Sequence, residues 1–145
     1  MKQFEQYEQF EHKADIGVRG YGKRVEEAFE NGAKAMFSVM VNLEKVEPKK
    51  EIKIACEADN LEELFVEWLN TLLSEAGIQN LVFSEFKIKE IKKTDSGYKL
   101  FGSARGEELN PAKHEAGVEV KAATYSQLKV EKRNNQFIAQ TIVDV

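Results

Sequence analysis

Between Asn60 and Gly77 seven large apolar residues, Leu61, Leu64, Phe65, Trp68, Leu69, Leu72 and Leu73, recur at three- and four-residue spacing. That period puts side chains on one face of an α-helix, so the stretch predicts an amphipathic helix over about 60–77. Asn60 can cap its first turn, Glu63 can reach back to the cap amide, and Gly77 is the expected stop. So wide a stripe needs an equally wide apolar surface to cover it, and its burial dominates core stability. Ala28, Phe29, Ala33, Met36, Phe37, Met40 and Val41 repeat the pattern and predict a second helix over roughly 24–42.

The remaining segments read as strands. Ile16 and Val18 alternate with Gly17 and Arg19, with Asp15 at the entry, and Ile52, Ile54 and Cys56 form another strand face. Residues 82–92 and the alternating Tyr98, Leu100, Gly102 and Ala104 flank an Asp95-Ser96-Gly97 turn, as a hairpin would. After a loop from Gly106 to Gly117, strands are expected near 117–121, 124–132 and 136–143, the last two joined by Asn134-Asn135, which tolerate positive φ. Hairpins concentrated in the second half exclude an alternating doubly wound design. The prediction is an α+β fold, a two-layer sandwich with two helices packed on a predominantly antiparallel or mixed sheet of about six strands, as one domain over residues 1–145.

A chain of 145 residues can bury a single sizeable core, and 42% hydrophobic with 32% charged residues excludes wholesale disorder. The net charge of −4 argues against a broad cationic face, so RNA is expected to be met only indirectly. Cys56 is the sole cysteine, which rules out a disulfide within the chain and suggests no disulfide-linked partner. The glutamate- and glutamine-rich start lacks the apolar run of a secretion signal, and no stretch approaches the roughly 20 apolar residues of a membrane span. A cytoplasmic location is expected.

Chemistry is sparse. There is no phosphate-binding glycine loop, dinucleotide fingerprint or nucleophile elbow, and two histidines with one cysteine make no zinc spacing. Gly20-Tyr21-Gly22 reads as a strand-to-helix turn, and Gly106-Glu107-Glu108 with His114 as a polar connection or contact loop. What stands out is charge at strand-like positions: Asp15, Asp144, in phase with Ile138 and Ile142, and Lys121, whose parity opposes Val118 and Val120 unless a bulge intervenes. Burying such carboxylates would demand a partner. Two of them, with main-chain oxygen or the terminal carboxylate at Val145, suit a hard cation, and a neighbouring Lys121 would offset their repulsion or grip a phosphate.

These residues carry a family resemblance. His12-Lys13-Ala14-Asp15-Ile16-Gly17, Gly22, Glu27 to Phe37, Leu64 to Leu73 with Trp68, Gly106-Glu107, His114, Val120 to Tyr125 and Val143-Asp144-Val145 together resemble an archease. That family usually has threonine where this chain has Lys13, and histidine where it has Ser126, so neither is assigned a role. The resemblance implies a non-enzymatic activator of the tRNA-splicing RNA ligase, promoting the ligase's guanylylation and multiple turnover in tRNA splicing and RNA repair. It further implies a divalent cation, calcium first with magnesium or manganese as alternatives. Asp15 and Asp144 would be its ligands, Val145 would adjoin the site, and Lys121 would be the further functional side chain. Two other readings compete: a chaperone or specificity module for an RNA-modifying methyltransferase, and a stand-alone metal-dependent phosphate hydrolase.

Overall fold

The computed structural model describes residues 6–145. Among them lie eight strands and two helices: β1 (Tyr7–His12), β2 (Asp15–Gly22), α1 (Val25–Met40), β3 (Lys50–Ala58), α2 (Leu61–Gln79), β4 (Leu81–Lys93), β5 (Tyr98–Glu108), β6 (Ala122–Ala123), β7 (Lys129–Arg133) and β8 (Gln136–Asp144). One sheet runs β1-β2-β8, with β6 and β7 both pairing β8, and the other runs β3-β5-β4. All pairings are antiparallel. Helix α1 packs on β2 and β8 and also on β4, whereas α2 lies mainly on β3, β5 and β4 and reaches β6 and β7.

The α+β class with two helices against antiparallel sheet is as expected, but the strands number eight, in two sheets. Tyr7 and Phe10 sit among acids without clean alternation, and β1 forms because it folds back on β2 through Lys13, whose φ is 56°. The strand expected near 117–121 does not form, the two-residue β6 lying just beyond it, and the one expected over 124–132 starts only at Lys129. Between β6 and β7 the Ser126 N–H turns to the Thr124 hydroxyl, and the Thr141 hydroxyl donates to the Thr124 and Ser126 carbonyls. Asn134 and Asn135 turn the β7–β8 hairpin at φ 52° and 66°, as two adjacent asparagines should.

Helix α2 runs past Gly77 and stops at Asn80, which takes the left-handed conformation at φ 54° and ψ 45°. Asparagine adopts that conformation at low cost, and one internal glycine costs a helix only about 1 kcal/mol, too little to end it alone. The Asn60 side chain accepts from the Glu63 amide at 2.8 Å, while the Glu63 carboxylate takes the Asn60 side-chain amide instead of the cap N–H. The fully buried Trp68 donates its indole N–H to the Phe29 carbonyl at 2.9 Å, tying α2 to α1, and Phe29 packs on Phe65 with ring centroids 5.0 Å apart. Gly20 lets β2 lie against α1: a Cβ there would come within 2.2 Å of the Ala28 carbonyl oxygen and the Gly32 nitrogen. Burial, and next the charge of Glu67, push the Cys56 thiol up to about 12, so it fills space instead of reacting.

Candidate functional site

The first sheet brings the two ends of the described chain together. Ile16 pairs with Val143, so one more step of the same register sets Asp15, the first residue of β2, opposite Asp144, the last of β8. Directly opposed residues leave a sheet on the same face, and these two carboxylates therefore share one. His12 pairs with Asp15 from β1, and Ala122 pairs with Asp144 from β6, so the row across the sheet reads His12, Asp15, Asp144, Ala122. In the next row the Phe10 ring lies over Gly17, with the Arg19 guanidinium 4.5 Å from its centroid. Arg19 also holds Gln140 and Glu8.

Lys121 joins this row through a bulge. The Thr124 N–H donates to the Ile142 carbonyl at 3.0 Å and Ala122 pairs with Asp144, yet the Lys121 N–H also meets the Asp144 carbonyl, at 2.8 Å, so two consecutive residues face Asp144. Burial agrees: Val120 and Ala123 are both buried, while Lys121 and Ala122 between them are not. Two consecutive residues facing one partner turn both side chains to one face, which gives Lys121 the face of Asp144.

Asn70 of α2 holds that bulged strand. Its side-chain oxygen accepts from the Ala123 N–H at 2.8 Å and its amide donates to the Ala123 carbonyl at 3.2 Å. Beyond it, the Thr124 hydroxyl donates to the Ile142 carbonyl at 2.8 Å, and the Thr141 hydroxyl to the Thr124 carbonyl. The sequence reading did not single out Asn70. Its signal was an asparagine, a poor helix former, in the middle of an amphipathic helix.

The side chains are less buried than their strand positions suggested. Asp144 and Lys121 are exposed and Asp15 is partly so, because the row lies at the sheet's end on its outer face. Val145 packs against the core. Among the described residues neither aspartate nor Lys121 makes a side-chain ion pair, and no three His, Cys, Asp or Glu side chains are grouped to hold a metal. Two opposed carboxylates beside water are hard oxygen donors, which fits a partly hydrated divalent cation and not zinc.

Glu107 and His114, the other polar stretch singled out in the sequence, build a buttress elsewhere. His114 is fully buried; its Nδ1 accepts from the Asn110 N–H at 3.0 Å, so Nε2 donates to Glu107 at 2.9 Å. The Glu47 N–H and the Lys113 ammonium each donate to the same carboxylate at 2.9 Å. The Glu47 amide first, then Lys113 and His114, hold the Glu107 carboxyl down to about 2. A carboxyl lowered on folding contributes stability that is complete above its unfolded value of about 4.5 and is lost as pH falls toward 2. The urea midpoint is therefore expected to drop between about pH 4.5 and 2, and Glu107→Gln is expected to flatten that acid limb.

The chain matches the archease protein family (MTH1598/TM1083) over residues 7–145. It belongs to the archease family. It is 47% identical over 140 residues to the protein archease of Pyrococcus abyssi, covering 96% of this chain and 98% of that one. It is 48% identical, with the same coverage, to that of Thermococcus kodakarensis. The solution structure of protein 1598 of Methanobacterium thermoautotrophicum superposes with a TM-score of 0.81 at 33% identity, over 97% of this chain and 99% of that one. A Thermotoga maritima crystal structure described as an archease and possible chaperone shares the fold at a TM-score of 0.58 and 19% identity, over 100% and 98% of the two chains. Among the described residues, no helix is long and apolar enough to cross a membrane.

Proposed function

We propose that this archease activates a partner RNA ligase of the tRNA-splicing type, promoting its guanylylation and repeated turnover without completing a reaction of its own. The observation that carries this reading is the shared row of Asp15, Asp144 and the bulged Lys121 at the end of β2, β8 and β6. Asp15 and Asp144, with main-chain oxygen at Val145, hold a divalent cation, calcium first and magnesium or manganese otherwise. When bound, the cation supplies positive charge that orients phosphate oxygens.

The chain's own residues do the rest. The two carboxylates are held about 5 Å apart at the backbone by the sheet register, close enough to share an ion and too close to sit together comfortably without one. Lys121, carried on a bulge that Asn70 pins, offers an ammonium as a point charge for a phosphate on the partner's side of the site. The outer face of the sheet end is open to a docking protein, and the partner is biased toward the state that this charged row fits.

Purified ligase stalled after one turnover should restart when the archease is added. Asp15→Ala and Asp144→Ala, folded as judged by unchanged melting, are expected to restart it at least about tenfold less well, as loss of one charged contact of about 1.4 kcal/mol or more requires. Equal rescue by both variants defeats the reading. The description of the Thermotoga relative favours a chaperone as second reading; it predicts stoichiometric binding to the partner and indifference to both substitutions.

A further inference from the structure

The second sheet, β3-β5-β4, is covered by helices on one face only. Ile54, Gly102 and Ile88 pair across it and face the core, whereas the next two rows, Lys53-Ser103-Lys87 and Ala55-Phe101-Glu90, face outward. Phe101, on the central strand, is 39% exposed, an uncommon place for a large aromatic ring with no partner. The β4 register shift between Ile88 and Glu90 adds Lys89 to the same face. The shift is built in, because Glu30 of α1 accepts from the Ile88 amide there at 2.8 Å.

Lys53, Lys87 and Lys89, with Glu90 as the one acid, line together with Phe101 a shallow depression of about 550 Å³. Lys87 and Lys89 make no ion pair among the described residues. Lys53 meets Glu51 Oε1 only at 3.7 Å, while Arg105 holds Oε2 of the same exposed carboxylate at 2.9 Å. Lys53 and Lys87 flank Ser103 across two strand spacings, about 10 Å apart at the backbone. An open sheet with a central-strand aromatic and flanking lysines has the chemistry that stacks an unpaired base and takes the phosphates on either side of it. The net charge of −4 does not argue against this, since the positive charge is segregated onto two rows.

We propose that this outer face of β3-β5-β4 binds single-stranded RNA, with a base stacked on Phe101 and its flanking phosphates on Lys53, Lys87 and Lys89. The choice of RNA rests on the ligase reading above, and the contact would present a broken RNA end directly, where the sequence suggested only indirect contact. The test is fluorescence anisotropy of a labelled oligouridylate of about eight nucleotides, titrated with the full chain in a chelator.

Saturable binding is expected, weakened about 5- to 150-fold by Phe101→Ala, the range that one stacked base implies. Lys87→Gln and Lys89→Gln should each reduce the log–log salt slope by about 0.7. All three side chains point to solvent, so unchanged melting is expected and serves as the folding control. Absence of saturable binding, wild-type affinity in Phe101→Ala, or equal binding of duplex RNA overturns the proposal. So does self-association of the chain abolished by Phe101→Ala, which would make the face a protein interface. Asp15→Ala must retain RNA binding; restart of the ligase without RNA binding sinks this proposal alone, and RNA binding with aspartate-independent restart sinks the ligase reading alone.

Discussion

Trp68→Ala is expected to lower the unfolding free energy by about 3–5 kcal/mol, a large part of the 5–15 kcal/mol typical of a single domain. Trp68 is fully buried between the helices, so its removal leaves a cavity lined by side chains that are themselves fixed, among them Phe29 and Phe65. The cost has two parts, the lost transfer of the indole from water and the cavity that neighbours cannot close. Trp68→Phe should separate them, since it keeps most of the volume and deletes the N–H that donates to the Phe29 carbonyl, at about 1–2 kcal/mol. Urea unfolding followed by far-UV circular dichroism decides the matter: equal losses in the two variants would mean that the hydrogen bond, not the packing, ties α2 to α1.

Gly20→Ala should cost about 3 kcal/mol, the upper end of overpacking penalties. The added Cβ would meet two backbone atoms of α1 at 2.2 Å, and backbone cannot swing aside as a side chain can. Helix α1 would have to lift from β2, loosening the contacts of Phe29, Met36 and Phe37 in the core. Gly17→Ala is the informative contrast, because there the Cβ would meet the Phe10 ring, which can rotate away. Its stability loss should be smaller, within about 1.5 kcal/mol. Comparable melting temperatures for the two variants would show that the β2–α1 approach is softer than its geometry implies.

Legibility followed the range of the interaction. The two helices are visible because their apolar spacing is local, and so is the Asn134-Asn135 turn, where the side chains themselves set the backbone angles. Gly77 misled because a glycine stop is only a preference, and Asn80, three residues on, takes the left-handed conformation that ends the helix. Strand β1 was hidden because no alternation in Tyr7–His12 announces it; pairing with β2 makes it. Asn70 was hidden for the same reason, its partner Ala123 being 53 residues away.

The sequence by itself determined the two amphipathic helices, the second-half hairpins, the α+β class and the family motifs, because each is written in residues within a turn or a strand of one another. Only the tertiary structure decided that Asp15 stands opposite Asp144, that Lys121 turns to the same face through a bulge, and that the acids lie at an open sheet end instead of in the core. Strand register and bulges are settled by which pairing covers the most apolar surface across the whole sheet, a sum over distant residues that no local pattern contains.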